Sequence, residues 1–239
     1  MHRNLAFKIQ PQPDSETCGA TCLQAVYAYH GLELLLPEVI AGIERLETGG
    51  TLGVMLARDA LRRGFAATIY SYNLHMFDPT WFVKGVNFRE KLLRQAALKS
   101  KPKLQQATRA YLDFFELGGK VRFRELRPAL IRGLLNRGLP ILTGLSATYL
   151  YRCARENMNG EYDDVGGRPS GHFVVICGYN KRKRLVRVAD PWRPNPFTGD
   201  DQFYDVTSDR LISAILLSIV TYDANLLVIE PRRPRKAAP

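Results

Sequence analysis

Cysteine and histidine are scarce in this chain of 239 residues, which has four of each. Small secreted folds held by disulfides have a much higher density of cysteine, and structural zinc sites group four ligands closely along the chain. Here the cysteines are spread over positions 18, 22, 153 and 177, with no Cys-x-x-Cys pair. We therefore predict no disulfide scaffold, no bound metal and no cofactor.

Long apolar runs are also missing. The longest covers residues 211–220, and Ser213 and Ser218 interrupt it. A membrane-spanning helix needs about 20 apolar residues. The first residues, Met-His-Arg-Asn-Leu-Ala-Phe-Lys, have no apolar segment of the secretory type. We therefore expect no transmembrane segment and no export, so that the protein is cytoplasmic and its thiols are reduced.

Positive charge is what the chain has in excess, with 34 Lys and Arg against 23 Asp and Glu and a net charge of +11. Much of the excess lies in residues 84–137, which contain 14 basic and 4 acidic side chains. Such a region attracts an acidic partner, an anionic membrane surface or nucleic acid, or is simply a solvated helical face. Because no nucleic-acid-binding motif accompanies it, nucleic acid is not indicated, and an acidic partner stays open.

The order of predicted elements indicates an α+β protein. We predict one domain over residues 1–230, with a basic helical insertion or lid at 84–137 and a disordered basic tail at 231–239. A strand is predicted at 5–10, before helices at 18–30, 37–46 and 51–63. Further strands are predicted at 65–72, 120–124, 139–145, 172–179, 185–190 and 225–229, and further helices at 87–100, 104–117, 128–137 and 207–217.

Residues 12–23 place a cysteine where an apolar helix begins. Leu23, Val26 and Tyr27 follow at helical spacing. Cys18 therefore lies in the first turn or just before it, where unpaired backbone N–H groups and the helix dipole favour the thiolate. Gln12, six residues upstream, offers a side-chain amide for an oxyanion. This segment predicts a nucleophilic thiol.

A second polar pair lies far along the chain. His172 begins an apolar strand, a turn over residues 180–184 follows, and the returning strand ends at Asp190 before a proline. If the two strands pair antiparallel, the end of the second lies beside the start of the first. His172 and Asp190 are then neighbours at one edge of the sheet.

Each of these residues has an ordinary explanation when it is taken alone. A cysteine at a helix start is commonly a small buried residue, a histidine before an apolar strand is commonly structural, and aspartate before proline is a common turn residue. Together they supply what thiol catalysis requires. We predict that Cys18 is the nucleophile, His172 the general base and then acid, and Asp190 the group that orients the imidazole. Gln12 and the backbone N–H of Cys18 would form the oxyanion hole.

Both segments also resemble a known family. The pattern Gln12-x5-Cys18-Gly-Ala-x-Cys-Leu, with Gly-His172-Phe-Val-Val and Ala-Asp190-Pro, resembles the C39 and C39-like cysteine peptidases of the papain-like superfamily. The resemblance implies a papain-like α+β fold, in which an N-terminal helical part carries the cysteine and a C-terminal antiparallel sheet carries the histidine and aspartate. It also implies the four roles given above.

The best-known members of that family lie at the front of peptide-exporting ABC transporters and cut leader peptides after a double glycine. This sequence shows neither membrane spans nor an ATPase segment, so it resembles the stand-alone form, and the double-glycine specificity is not carried over. We predict a thiol-dependent peptidase that cleaves a peptide or isopeptide bond of a peptide or protein substrate through an acyl-enzyme. The alternatives are an acyltransferase that uses the same thioester and a non-catalytic peptide-binding module.

Overall fold

Three helices near the start of the chain precede most strands of the main sheet. A computed structural model describes residues 2–46, 49–157 and 159–232. After a short strand, β1 (His2–Asn4), come the helices α1 (Cys18–Tyr29), α2 (Leu36–Gly42) and α3 (Gly53–Arg62). The middle of the chain contains β2 (Phe65–Ser71), α4 (Phe88–Leu98), α5 (Pro102–Glu116), β3 (Lys120–Arg122), α6 (Pro128–Asn136), β4 (Ile141–Ser146) and α7 (Ala147–Tyr151). The remainder contains β5 (Gly171–Asn180), β6 (Leu185–Ala189), β7 (Phe203–Thr207), α8 (Ser208–Leu217) and β8 (Asn225–Pro231).

The strands form one sheet in the order β3, β2, β8, β4, β5, β6, β7, with β1 paired to β5. The β2–β3 pair is parallel and the other pairs are antiparallel. Neighbouring residues of β5 enter different cores: Val175 packs with α1 and α3, while Val174 packs with α6 and α8. Helices therefore cover both faces of the sheet, which explains why β5 reads as a nearly continuous apolar run.

The basic segment 84–137 contributes to the main core. Leu92 of α4 and Phe114 of α5 are fully buried, in the same apolar cluster as residues of α1 and α3. Arg89 and Arg94 lie exposed on the outer surface of these helices, whereas Lys103 is half-buried. The helices of the segment thus pack against the main core, and its role as an insertion or lid stays a prediction.

The predicted strand at 5–10 is wrong, since the strand lies at His2–Asn4. The backbone N–H of Leu5 still donates to the Cys177 carbonyl at 2.8 Å, and beyond it Phe7 is buried in the core without strand pairing. The apolar alternation therefore reflects a loop that packs its apolar side chains inward. The short elements α7 and β7 were not predicted.

At the other end, β8 continues to Pro231, and Arg232 Nε donates to the Phe65 carbonyl at 3.1 Å. The rest of the predicted tail, residues 233–239, lies outside the described residues. Across the described ranges, no helix combines the length and the apolar character that crossing a membrane requires.

Candidate active site

Cys18 is the first residue of α1, as the helical spacing predicts. It is buried and lines a cleft of about 260 Å³. The first N–H groups of a helix have no partner within it, so the start of α1 favours negative charge near the thiol. The same cleft is lined by His172 and Phe173 of β5 and by Gly144 of β4. The helical part and the sheet thus meet at this cleft.

His172 and Asp190 lie next to each other because β5 and β6 pair antiparallel, with Val175 opposite Ala189. The His172 Nε2 atom is 2.8 Å from Asp190 Oδ1. With Nε2 occupied, Nδ1 is the ring nitrogen left for Cys18. The structure therefore brings Cys18, His172 and Asp190 together, although more than 150 residues separate the first from the other two.

Asp190 has no exposed surface, and four donors surround its carboxylate. Besides His172, the Trp192 backbone N–H donates to Oδ1 at 3.0 Å. The hydroxyls of Tyr151 and Tyr204 donate to Oδ2 at 2.5 and 2.7 Å. Burial acts to raise the pKa of Asp190, but the charge of His172 and these hydrogen bonds outweigh it and hold that pKa below its ordinary value.

The pairing with Asp190 also determines the protonation state of the His172 imidazole. Burial alone acts to lower the pKa of His172, but the charge and hydrogen bond of Asp190, followed by interaction with Cys18, raise it to about 10. The ring of Trp192 lies against the imidazole, with ring centroids 5.3 Å apart. His172 is therefore held as an imidazolium beside the thiol at neutral pH.

Gln12 is attached to the same region through its backbone, because its N–H donates to the Pro191 carbonyl at 2.9 Å. Its side-chain Nε2 donates to the Asp14 carbonyl at 2.7 Å. Its Oε1 is buried and has no hydrogen-bond partner in the part of the chain that the structure describes. The amide thus has one N–H left, and its role towards an oxyanion stays a prediction.

Sequence reasoning missed the support around Asp190. The sequence patterns predict no catalytic role for Tyr151, Tyr204 or Trp192. The Trp192 contact follows a pattern that can be read from sequence, since aspartate often accepts from the N–H two residues later. The two tyrosines come from α7 and β7, which were not predicted, and no spacing in the chain connects them to Asp190.

Known proteins resemble this chain both in sequence pattern and in fold. The sequence model of the family described as "Peptidase_C39 like family" matches residues 4–207. A solved structure described as a C39-like peptidase from Bacillus anthracis is similar over 97% of this chain and 100% of that chain, with 13% identity and a TM-score of 0.50. Xylellain, a cysteine protease from Xylella fastidiosa, is similar over 97% of this chain and 86% of that chain, with 16% identity and a TM-score of 0.46. The predicted papain-like α+β fold is confirmed.

Curated proteins of another kind are also similar to this chain in sequence. Monogalactosyldiacylglycerol synthase 2 of Arabidopsis thaliana is 26% identical over 196 residues, which cover 74% of this chain and 40% of that protein. The chain spans about a third of the length of the curated relatives that it matches.

Proposed function

Because this chain belongs to the Peptidase_C39 like family, we propose that it is a cysteine peptidase that cleaves a peptide or isopeptide bond. The observation that carries the proposal is that His172, which is paired with the buried Asp190, lines the same cleft as Cys18. A peptide or protein is the proposed substrate. We also propose a cytoplasmic location, which the four free cysteines support.

In the proposed reaction, the Cys18 sulfur attacks the carbonyl carbon of the scissile bond and forms a C–S bond. His172 gives its proton to the leaving nitrogen as the C–N bond breaks, and a thioester remains on Cys18. The neutral imidazole then takes a proton from water as the water oxygen attacks the thioester carbonyl carbon. A C–O bond forms, the C–S bond breaks, and the acid leaves while Cys18 is released as a thiolate beside the imidazolium. Asp190 holds the ring in place and stabilises its charged form throughout.

The negative oxygen of each tetrahedral intermediate needs donors. The backbone N–H of Cys18, at the start of α1, and the side chain of Gln12 are the proposed donors. The link from the Gln12 backbone to Pro191 supports this proposal, since it fixes Gln12 next to the strand end that carries Asp190.

The substitution Cys18→Ala tests the proposal. We expect it to abolish both turnover of a peptide substrate and labelling by a thiol-directed activity probe, because the nucleophile is gone while the fold is kept. Cys153→Ala is the matched control, since this partly buried thiol lies outside the cleft and its loss should leave activity unchanged. Turnover that persists in Cys18→Ala would exclude the mechanism.

Gln12→Ala in the same assay tests the oxyanion hole separately. Loss of one such donor lowers kcat by about 10²–10³-fold. An unchanged kcat would remove Gln12 from the mechanism and leave the role of Cys18 intact.

A further inference from the structure

A buried carboxylate lines the cleft and takes no part in the mechanism proposed above. Asp223 lies just before β8, is 7% exposed and lines the cleft together with Cys18 and His172. Lys103 of α5 and Thr221 line the same cleft. A charged group this deeply buried needs a compensating partner, so its contacts decide what it can do.

Only one oxygen of Asp223 is engaged. Oδ1 accepts from the backbone N–H of Gly53, the first residue of α3, at 2.7 Å and from Asn225 Nδ2 at 3.3 Å. Oδ2 accepts no hydrogen bond from any residue in the described ranges. The carboxylate is therefore anchored by one oxygen, and the other remains available to a ligand in the cleft.

Lys103 compensates the charge of Asp223 incompletely. Its Nζ donates to the Thr221 carbonyl at 3.0 Å and lies 5.3 Å from the centroid of the Tyr222 ring. Burial raises the pKa of Asp223 to about 6, even though the Gly53 N–H, Lys103 and Asn225 act in the opposite direction. A further hydrogen-bond donor with positive charge would therefore stabilise the carboxylate.

The backbone around Asp223 is shaped to bring the carboxylate to the cleft wall. A Cβ on Gly144 would lie 2.6 Å from Asp223 Cβ, so that only glycine allows this approach. Glu16 also lines the cleft, and Arg45 Nη1 lies 3.5 Å from its Oε2. The wall is thus bare of a side chain at Gly144, and of the two cleft carboxylates Asp223 is the deeply buried one.

We propose that Asp223 forms a subsite for a positively charged side chain, lysine or arginine, of the peptide substrate close to the scissile bond. The proposal rests on the peptidase function proposed above. Asp223 Oδ2 would accept a charge-assisted hydrogen bond from the ammonium or guanidinium group, which is stronger than a bond between neutral groups.

Peptidyl acyloxymethyl ketones test this subsite, because they report binding through the rate at which Cys18 is labelled. The probes are identical except for lysine, norleucine or glutamate at each position next to the reactive group, and labelling is followed by mass spectrometry of the intact protein. At one of these positions we expect the lysine probe to label Cys18 about 10- to 100-fold faster than the norleucine probe does. Asp223→Asn should remove that preference, since the amide keeps an acceptor for Gly53 but lacks the charge.

Asp205→Asn is the matched control, as this aspartate is exposed on β7 and should leave the preference unchanged. Lys103→Met is a second variant that does not depend on the folding of Asp223→Asn. Because Lys103 also lowers the pKa of Asp223, this variant is compared with the wild type at about pH 9, where the carboxylate is ionised. Removal of the competing cation should then increase the preference for lysine, and a decrease would overturn the proposal.

Two results would overturn the subsite proposal alone. One is a wild-type labelling rate that is the same for the lysine, norleucine and glutamate probes at every position. The other is a lysine preference in Asp223→Asn equal to that of the wild type. Iodoacetamide checks the thiol independently of the subsite. If neither iodoacetamide nor any peptidyl probe labels Cys18, the peptidase proposal itself fails, and the subsite proposal fails with it.

Discussion

At the scale of single residues, the state of Asp190 decides the chemistry of the site. A carboxylate without exposed surface is costly unless its oxygens are hydrogen-bonded, and here both are. The donors come from separate parts of the chain, with Tyr151 in α7, His172 in β5 and Tyr204 in β7. Each of them keeps the carboxylate ionised and thereby keeps His172 charged.

Tyr204→Phe tests this support by removing one donor without changing the shape of the side chain. A hydrogen bond to a charged group contributes about 1.5–3 kcal/mol, so we expect the free energy of unfolding to fall by an amount of that order. Urea denaturation at neutral pH measures the change. Tyr162→Phe is the control, because Tyr162 is exposed and should change stability little. Equal stability of Tyr204→Phe and wild type would show that Asp190 does not depend on this hydroxyl.

At the scale of elements, the packing of α5 distinguishes a core helix from a movable lid. Its first residue is Pro102, and Gly118, with a φ of +87°, follows its end. Proline at the start of a helix and glycine just past its end are common limits, and the sequence predicts this helix at 104–117, two residues later at its start. Between them, Leu104, Tyr111 and Phe114 are buried in the core that includes α1 and α3. The helix that carries Lys103 into the cleft is therefore fixed by apolar packing.

Phe114→Ala tests the packing of α5. Truncation of a buried phenylalanine costs about 3–5 kcal/mol, through lost burial and the cavity left behind. We expect a loss of that size in urea denaturation, whereas Arg94→Ala on the exposed face of α4 should change stability by less than about 0.5 kcal/mol. A loss below about 1 kcal/mol for Phe114→Ala would mean that the segment unfolds independently of the core.

At the scale of the whole molecule, the charges that give the net value of +11 are unevenly distributed along the chain. Segment 84–137 presents exposed basic side chains that include Lys84, Arg94 and Lys101. Their field attracts an anionic partner over distances comparable with the Debye length, about 10 Å at 0.1 M salt. An acidic protein partner for this surface stays a prediction.

Binding of polyglutamate tests whether the attraction depends on where the basic side chains lie. Replacing Lys84, Arg94 and Lys101 with Gln should weaken binding more than the same change at Lys181, Arg182 and Lys183, which are equally exposed on the turn between β5 and β6. Binding of the wild type should also weaken steeply between 50 and 200 mM salt (about a fourfold range). Fluorescence anisotropy measures both effects. Equal losses in the two triple variants would assign the attraction to net charge alone.

Much of the secondary structure could be predicted because its signals are local. The helix that Cys18 begins, the glycine and proline limits of α5, and the β5–β6 pairing follow from side-chain periodicity and turn residues. The strand predicted at 5–10 was wrong because an alternating apolar pattern also suits a loop packed on a core. The helix α7 has only five residues, too few for a 3.6-residue period to stand out. The strand β7 is as short, and its alternation of buried Tyr204 and Val206 with more exposed neighbours was not predicted.

The sequence by itself determined the chemical types at the site: a thiol at a helix start, an imidazole before an apolar strand and a carboxylate after the next one. Only the tertiary structure decided how those groups are charged, because the pKa of His172 depends on burial and on the contacts of Asp190. The same holds for Asp223, which becomes part of the cleft through the folding of α3, β4 and β8 around it. Local patterns specify residues and elements, whereas desolvation and contacts between distant segments exist only once the chain is folded.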